Sequence, residues 1–401
     1  MRGRWGIFIL LCLILCCTGS AVSAATADSS CRECHSGAAA DLDRGIKGDF
    51  MLCTDCHGIK HTGPNTGTPG VPTPKTCAEC HEEEVALFYE GKHYWAIDAM
   101  ETVPTYQKMP QEVTDKGCVV CHKVGQKWDD GSRGRCDSCH TRHVFSAAEA
   151  STPESCGTCH TGDHPQYEIW ANSKHGMLYN MEGGAERAPG CIDCHDGHRV
   201  VTAWGFLGLR PGEREDEEWL AARNKVQQAL EIMGPGLAPH VTRQSYAEWQ
   251  ALREEMIVRC TECHAESYVR EDLAKSDALL READLMMANV VTVADMLYDQ
   301  HLIDEQSRFM IYRDGTAHRF ATFMGGFHNS ALYSWDKGYL GLTSKMLALR
   351  DRAMAAKKAQ IVQIAVIAAL VLVVSLIVSF IYLHKRNKKE KKTELQQTAA
   401  D

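Results

Sequence analysis

The chain has 401 residues, 52 acidic against 43 Lys and Arg for a formal net charge of -9, and 19 cysteines. Both termini are basic, so the segment between them is more acidic still, which excludes nucleic acid as a partner. Sixteen cysteines fall in one repeated motif and the other three, Cys12, Cys16 and Cys17, in an N-terminal apolar run, so no thiol remains for disulfides or a nucleophile.

At the N-terminus Arg2 and Arg4 precede the apolar run 7–17, and Val22-Ser23-Ala24 supplies small residues for cleavage. Residues 1–24 read as a secretory signal, with the mature chain starting near Ala25. Cys16 is a poor lipidation site because bulky Leu15 precedes it. Eight Cys-x-x-Cys-His motifs follow: Cys31, Cys34, His35; Cys53, Cys56, His57; Cys77, Cys80, His81; Cys118, Cys121, His122; Cys136, Cys139, His140; Cys156, Cys159, His160; Cys191, Cys194, His195; and Cys260, Cys263, His264. Each offers two thiols for thioether bonds to haem vinyls and an adjacent histidine as proximal iron ligand. A zinc site would need paired motifs and no histidine after every second cysteine. Eight covalently attached haem c groups are therefore expected. Seven motifs crowd into residues 25–210 among Gly, Pro, Asp and Thr, where short segments bury too little apolar surface alone, so the haems must fill that core.

From about Gly212 the composition turns to helix formers, and apolar spacing predicts helices over 213–233, 245–258, 266–299 and 332–356. Gly234-Pro235-Gly236 separates the first two, and the eighth motif falls at a helix junction, within a helical domain over 211–358. Met286, Met287, Met296 and Met310 are expected in its packing, not on iron. Residues 361–383 are almost wholly apolar, enough to cross a bilayer, and define a membrane helix over 359–383. The basic run 385–392 then places the tail, 384–401, in the cytoplasm. The fold class is thus mainly α: an octahaem cytochrome c with a haem-filled core, a helical C-terminal part and a single C-terminal transmembrane helix. In a bacterium the haem domain is periplasmic, with a single-pass anchor in the inner (cytoplasmic) membrane.

Outside the motifs and tail, ten histidines remain: His61, His93, His143, His164, His175, His198, His240, His301, His318 and His328. They could close all eight irons, so their number leaves open whether one iron keeps a free position for chemistry.

The run 136–149, Cys-Asp-Ser-Cys-His-Thr-Arg-His-Val-Phe-Ser-Ala-Ala-Glu, together with Gly117 to His122, the motif at Cys156 with Asp163-His164 after it, and Ser173-Lys174-His175-Gly176, resembles the octahaem hydroxylamine oxidoreductase family in motif order and count. The resemblance implies a mostly helical homotrimer in which seven haems have two histidine ligands and form a wire, while the fourth along the chain keeps an open face for small nitrogenous substrates. It assigns His122 as proximal ligand of that catalytic haem and Asp163 and His164 as the acid pair above it. Distal ligands fall at His61, His93, His143, His175, His198 and His328, and a seventh comes from His240, His301 or His318. Two departures stand out. Almost nothing lies between the signal and the first motif, and Trp335 stands where oxidising members place the tyrosine that crosslinks to a neighbouring subunit's haem, with Tyr333 two residues away. Relatives without that tyrosine resemble reductases taking nitrite or hydroxylamine to ammonia. The expected partners are a quinol-linked or cytochrome redox partner and the membrane. Hydroxylamine or hydrazine oxidation and a non-catalytic electron conduit are the alternatives.

Overall fold

The computed structural model describes residues 28–59, 70–101, 106–162, 164–202, 204, 217–234 and 245–397. The expected signal and His61, Asp163 and His240 lie outside them. Among the described residues the only β feature is an isolated bridge between Lys127 and Arg133.

In the first half, helices are short, such as Ser36–Arg44, Glu82–Glu90 and Gln166–Ala171. Several motifs are themselves single helical turns, as at Cys53–His57, Cys118–His122 and Cys191–His195. One turn brings residues three apart to the same side, so both thiols address one object. Two of these turns carry Asp before the second cysteine, and the carboxylates accept from the backbone N–H at the start of the turn: Asp55 from Leu52 at 2.7 Å and Asp193 from Gly190 at 2.6 Å. The cap satisfies a donor that the turn leaves unpaired.

The second half builds an ordinary apolar core. Helix α1 (Glu217–Met233) and helix α2 (Tyr246–Thr261) precede the long α3 (Glu266–Asp299), α4 (Glu305–Phe327), a π-helical segment (Leu332–Leu340) and α5 (Gly341–Gln397). Val226 and Leu230 of α1, Met287, Val290, Val291 and Leu297 of α3, Tyr312 of α4 and Leu342 and Leu349 of α5 share one buried cluster. A second cluster, with Trp204, Trp219, Trp249, Leu280 and Phe323, faces the motif-rich half. The eighth motif occupies the turn from α2 to α3. Met286 and Met287 pack in the core, whereas Met296 and Met310 are exposed.

Helix α4 was not expected from apolar spacing, for a physical reason. Its buried face includes Gly315, Arg319, Thr322 and Gly325, which give little hydrophobic periodicity. The face is held instead by a buried ionic cluster in which Asp284 of α3 accepts from Arg319 Nε and, at 2.8 Å, from Trp219 Nε1, with Arg223 Nε 3.9 Å away. The expected helix over 332–356 is the start of a much longer one: α5 runs without a break through the apolar stretch, which has mean hydropathy 3.2 and no packing against the rest of the chain. That helix is long and apolar enough to cross a membrane.

Candidate haem cavity and its histidine pairs

The motif-rich half encloses a connected cavity of about 3430 Å³, several times the roughly 300–1,000 Å³ of a single-ligand pocket. All eight motifs line it, every motif cysteine except Cys34 and every motif histidine included. All sixteen motif cysteines are free thiols.

Across this cavity six motif histidines each face a second histidine. Ring centres lie 6.1 Å apart for His57 and His143, 5.9 Å for His160 and His93, and 6.2 Å for His122 and His164. The others are 6.2 Å for His140 and His198, 5.9 Å for His264 and His175, and 6.0 Å for His195 and His328. Two imidazoles bound in line to one metal need two metal–nitrogen bonds of about 2 Å each and roughly another 1 Å from each nitrogen to its ring centre, ~6 Å in all. The residues present therefore fit iron between each pair, with two thiols beside it for the vinyls.

Hydrogen bonds aim the rings. Nδ1 donates to the carbonyl of Gly70 from His57 (2.9 Å), of Ala96 from His122 (2.6 Å), of Val201 from His195 (2.7 Å) and of Met324 from His328 (2.8 Å). Each bond fixes the tautomer that presents Nε2 to the cavity and strengthens it as a donor to metal. Two glycines permit the backbone approaches behind this geometry: a Cβ on Gly125 would lie 2.7 Å from the His93 carbonyl, and one on Gly91 2.6 Å from that of His198. Burial pushes His93 and His195 down to about 4, and also lowers His140, His143, His160, His175 and His328. The neutral imidazole is the form that binds metal.

The pair at His122 differs in two ways. Its rings are inclined at 75°, against 22° to 47° in the other five, and His164 is exposed where the other five partners are half-buried. Its separation is not larger than theirs.

Among the expected distal ligands, His93, His143, His175, His198 and His328 are each brought to a motif histidine. His318 is not: it does not line the cavity, and its Nδ1 donates to the Lys337 carbonyl at 2.7 Å. It belongs to the packing of α4 on the π segment, and no motif reaches it. His301 ends α3 on the surface, beside a separate small hollow. His35 and His81 have no histidine ring partner among the described residues. At His81 the neighbour is an amine that counting histidines could not find, Lys47, with Nζ 3.3 Å from Nε2.

Thiols of different motifs also approach one another. Cys77 bonds Cys136, Cys156 bonds Cys191, and Cys121 bonds Cys159. Cys31 lies near Cys53, Cys56 near Cys77, Cys139 near Cys156, and Cys194 near Cys260. In chain order the motifs thus adjoin as first, second, third, fifth, sixth, seventh and eighth, with the fourth branching at the sixth.

Free thiol pairs, histidines facing across a shared cavity and a helical scaffold define a c-type multihaem cytochrome. Residues 49–188 match the family of seven-times multi-haem cytochromes with CxxCH motifs, and the chain belongs to these proteins and holds haem c covalently. It is 24% identical over 287 residues to a probable nitrite reductase-hydroxylamine oxidoreductase fusion protein of Kuenenia stuttgartiensis, covering 64% of this chain and 32% of that one. It is 26% identical over 137 residues to the cytochrome c-type protein TorY of Haemophilus influenzae, covering 33% of this chain and 32% of that protein. The chain spans about a third of the length of these curated relatives. A hypothetical multiheme protein shares the fold with TM-score 0.63 at 18% identity, over 83% of this chain and 96% of its own. So does a reducing HAO-like protein complex of Kuenenia stuttgartiensis, with TM-score 0.59 at 20% identity, over 81% and 79%.

Proposed function

We propose that the chain carries eight haem c groups and reduces nitrite, hydroxylamine or both to ammonia at the haem of Cys118, Cys121 and His122. The observation that carries the direction is the state of the aromatic residues in the π segment. Tyr333 is buried against Ile169 and Ala321 with its hydroxyl accepting from Lys337 Nζ at 3.2 Å, so it is committed to its own subunit. The exposed ring is Trp335, 53% accessible and stacked on Tyr339 at 5.8 Å. No tyrosine is thereby offered to a neighbour for the crosslink that marks oxidising members. The names of the relatives, a nitrite reductase fusion and a reducing complex, agree with this direction.

The haem at this motif would supply electrons and the place where the nitrogen compound binds. Around it, His122 is braced by the Ala96 carbonyl and holds the proximal side. His164 stands opposite in an exposed position, open to proton exchange with solvent, and with its neighbour Asp163 delivers protons to departing oxygen. Nitrite must lose oxygen as water, a poor leaving group until protonated, and a positioned acid contributes ~10²–10⁴ in rate. The remaining haems relay electrons from a quinol-linked or cytochrome donor. The apolar part of α5 anchors the homotrimer in the inner membrane, with the haem domain in the periplasm.

The conduit reading draws on the His122–His164 separation, which equals that of the other pairs. One experiment separates the two. As a reductase, wild-type protein shows a high-spin ferric signal in low-temperature electron resonance, and His164→Ala lowers viologen-driven nitrite and hydroxylamine reduction at least roughly tenfold at unchanged haem content. As a conduit, wild type lacks that signal and reductase activity, and His164→Ala creates the signal.

A further inference from the structure

We infer that Lys47 is the sixth ligand of the iron at the Cys77, Cys80, His81 motif, so that this haem is held by one amine and one imidazole.

The argument starts at His81, which has two described contacts. Its Nδ1 lies 3.7 Å from the Glu84 carboxylate, and its Nε2 lies 3.3 Å from Lys47 Nζ. The carboxylate therefore stands where other motif histidines place a carbonyl, and the nitrogen that elsewhere meets a second imidazole here meets an amine. Two metal–nitrogen bonds in line put their nitrogens ~4 Å apart. The amine falls short of that by less than an ångström, within reach of a flexible four-carbon stem.

The backbone holds Lys47 in place. It sits in the tight turn Ile46–Asp49, directly after Gly45, and a Cβ on Gly45 would collide with the Val144 carbonyl, so the turn docks on the segment carrying His143 and Phe145. Lys47 lines the cavity, and its charge is felt by Cys56, Cys77 and His140, which belong to three different motifs. Among the described residues no carboxylate bonds it. A lysine directed into a haem cavity without an acidic partner is costly as a cation and useful as a neutral donor. On ligation the ammonium gives one proton to solvent and its nitrogen lone pair to iron, with no change of oxidation state.

The inference rests on haem attachment at this motif and not on the reaction at His122, so haem quantification by pyridine haemochrome comes first. Near-infrared magnetic circular dichroism of the wild-type ferric protein should show one amine–imidazole haem besides the bis-imidazole ones. Lys47→Ala should keep the haem content and gain a high-spin ferric signal of about one iron per chain over wild type, together with carbon monoxide binding in the reduced state. Lys47→His should return that iron to low spin. A wild-type spectrum with imidazole-only low-spin haems overturns the assignment, and so does Lys47→Ala with full haem content and no added high-spin iron. The spectrum of wild type decides the matter even if the variant fails to mature.

Discussion

A histidine ring becomes a haem ligand here through the atom behind it. Gly70, Ala96, Val201 and Met324 present only backbone carbonyls, yet they decide which nitrogen of His57, His122, His195 and His328 faces the cavity. His93 and His318 make the contrast testable. His93 faces His160 at 5.9 Å inside the cavity, whereas His318 bonds Lys337 outside it. His93→Ala should open one iron and add a high-spin ferric signal of about one haem per chain, while His318→Ala should leave the electron resonance spectrum unchanged. A new high-spin signal in the His318 variant would place a haem where the structure has helix packing. The motif cysteines and histidines were legible because their chemistry is local, five residues in a row. The partner histidines were legible only through the family resemblance, since they lie far from their mates in the chain, 133 residues in the case of His195 and His328. The carbonyl braces and Lys47 were not legible, because backbone groups have no residue type and an amine opposite a motif histidine breaks the histidine count.

Helices with a plain apolar stripe were readable from their residues. Helix α3 covers the expected span end to end, and α2 begins after Ser245, whose hydroxyl accepts from Glu248 N at 3.2 Å while the Glu248 carboxylate accepts from Ser245 N at 2.7 Å. Helix α4 hid because a buried ionic cluster replaces part of its stripe. That cluster has one carboxylate, Asp284, fully buried among Arg319, Arg223 and the Trp219 indole. Removing the anion leaves two guanidinium groups buried without compensation, a change that costs about 3–5 kcal/mol. Asp284→Ala should therefore lower the thermal midpoint of the helical part by several degrees, followed by far-ultraviolet circular dichroism with haem content monitored in parallel. A midpoint within about 1 °C of wild type would mean that solvent reaches the cluster and screens it. Replacing Asp284, Arg319 and Arg223 together by apolar residues of similar volume should recover part of the loss, since desolvating the ions is itself expensive.

Taken whole, the molecule separates a cavity that cannot close without its cofactors from an anchor that touches nothing else in the chain. The adjacency of thiols runs from the first motif to the third, on through the fifth to the eighth, and meets the fourth at the sixth by way of Cys121 and Cys159. Electrons entering anywhere on that line reach the His122 haem through one junction, and the length of the line sets a distance between the membrane and the chemistry. The anchor is energetically independent: apolar side chains between Ile361 and Leu383 are exposed along the helix, and each Leu, Ile, Val or Phe favours insertion by a few tenths of a kcal/mol. At about 1.5 Å per residue the run is long enough to cross a hydrocarbon core of ~30 Å. Ending the chain after Lys358 should thus release the haem protein from membranes into the soluble fraction with its haem content intact. Viologen-driven reduction should stay within roughly twofold of the full-length protein, because dyes reach the cavity from solution, while reduction supported by quinol in vesicles should fall at least tenfold as the donor is no longer held nearby. If the shortened chain still sedimented with vesicles after a high-salt wash, attachment would lie elsewhere, and if it lost viologen activity along with quinol activity, α5 would be part of the haem fold and not only its tether.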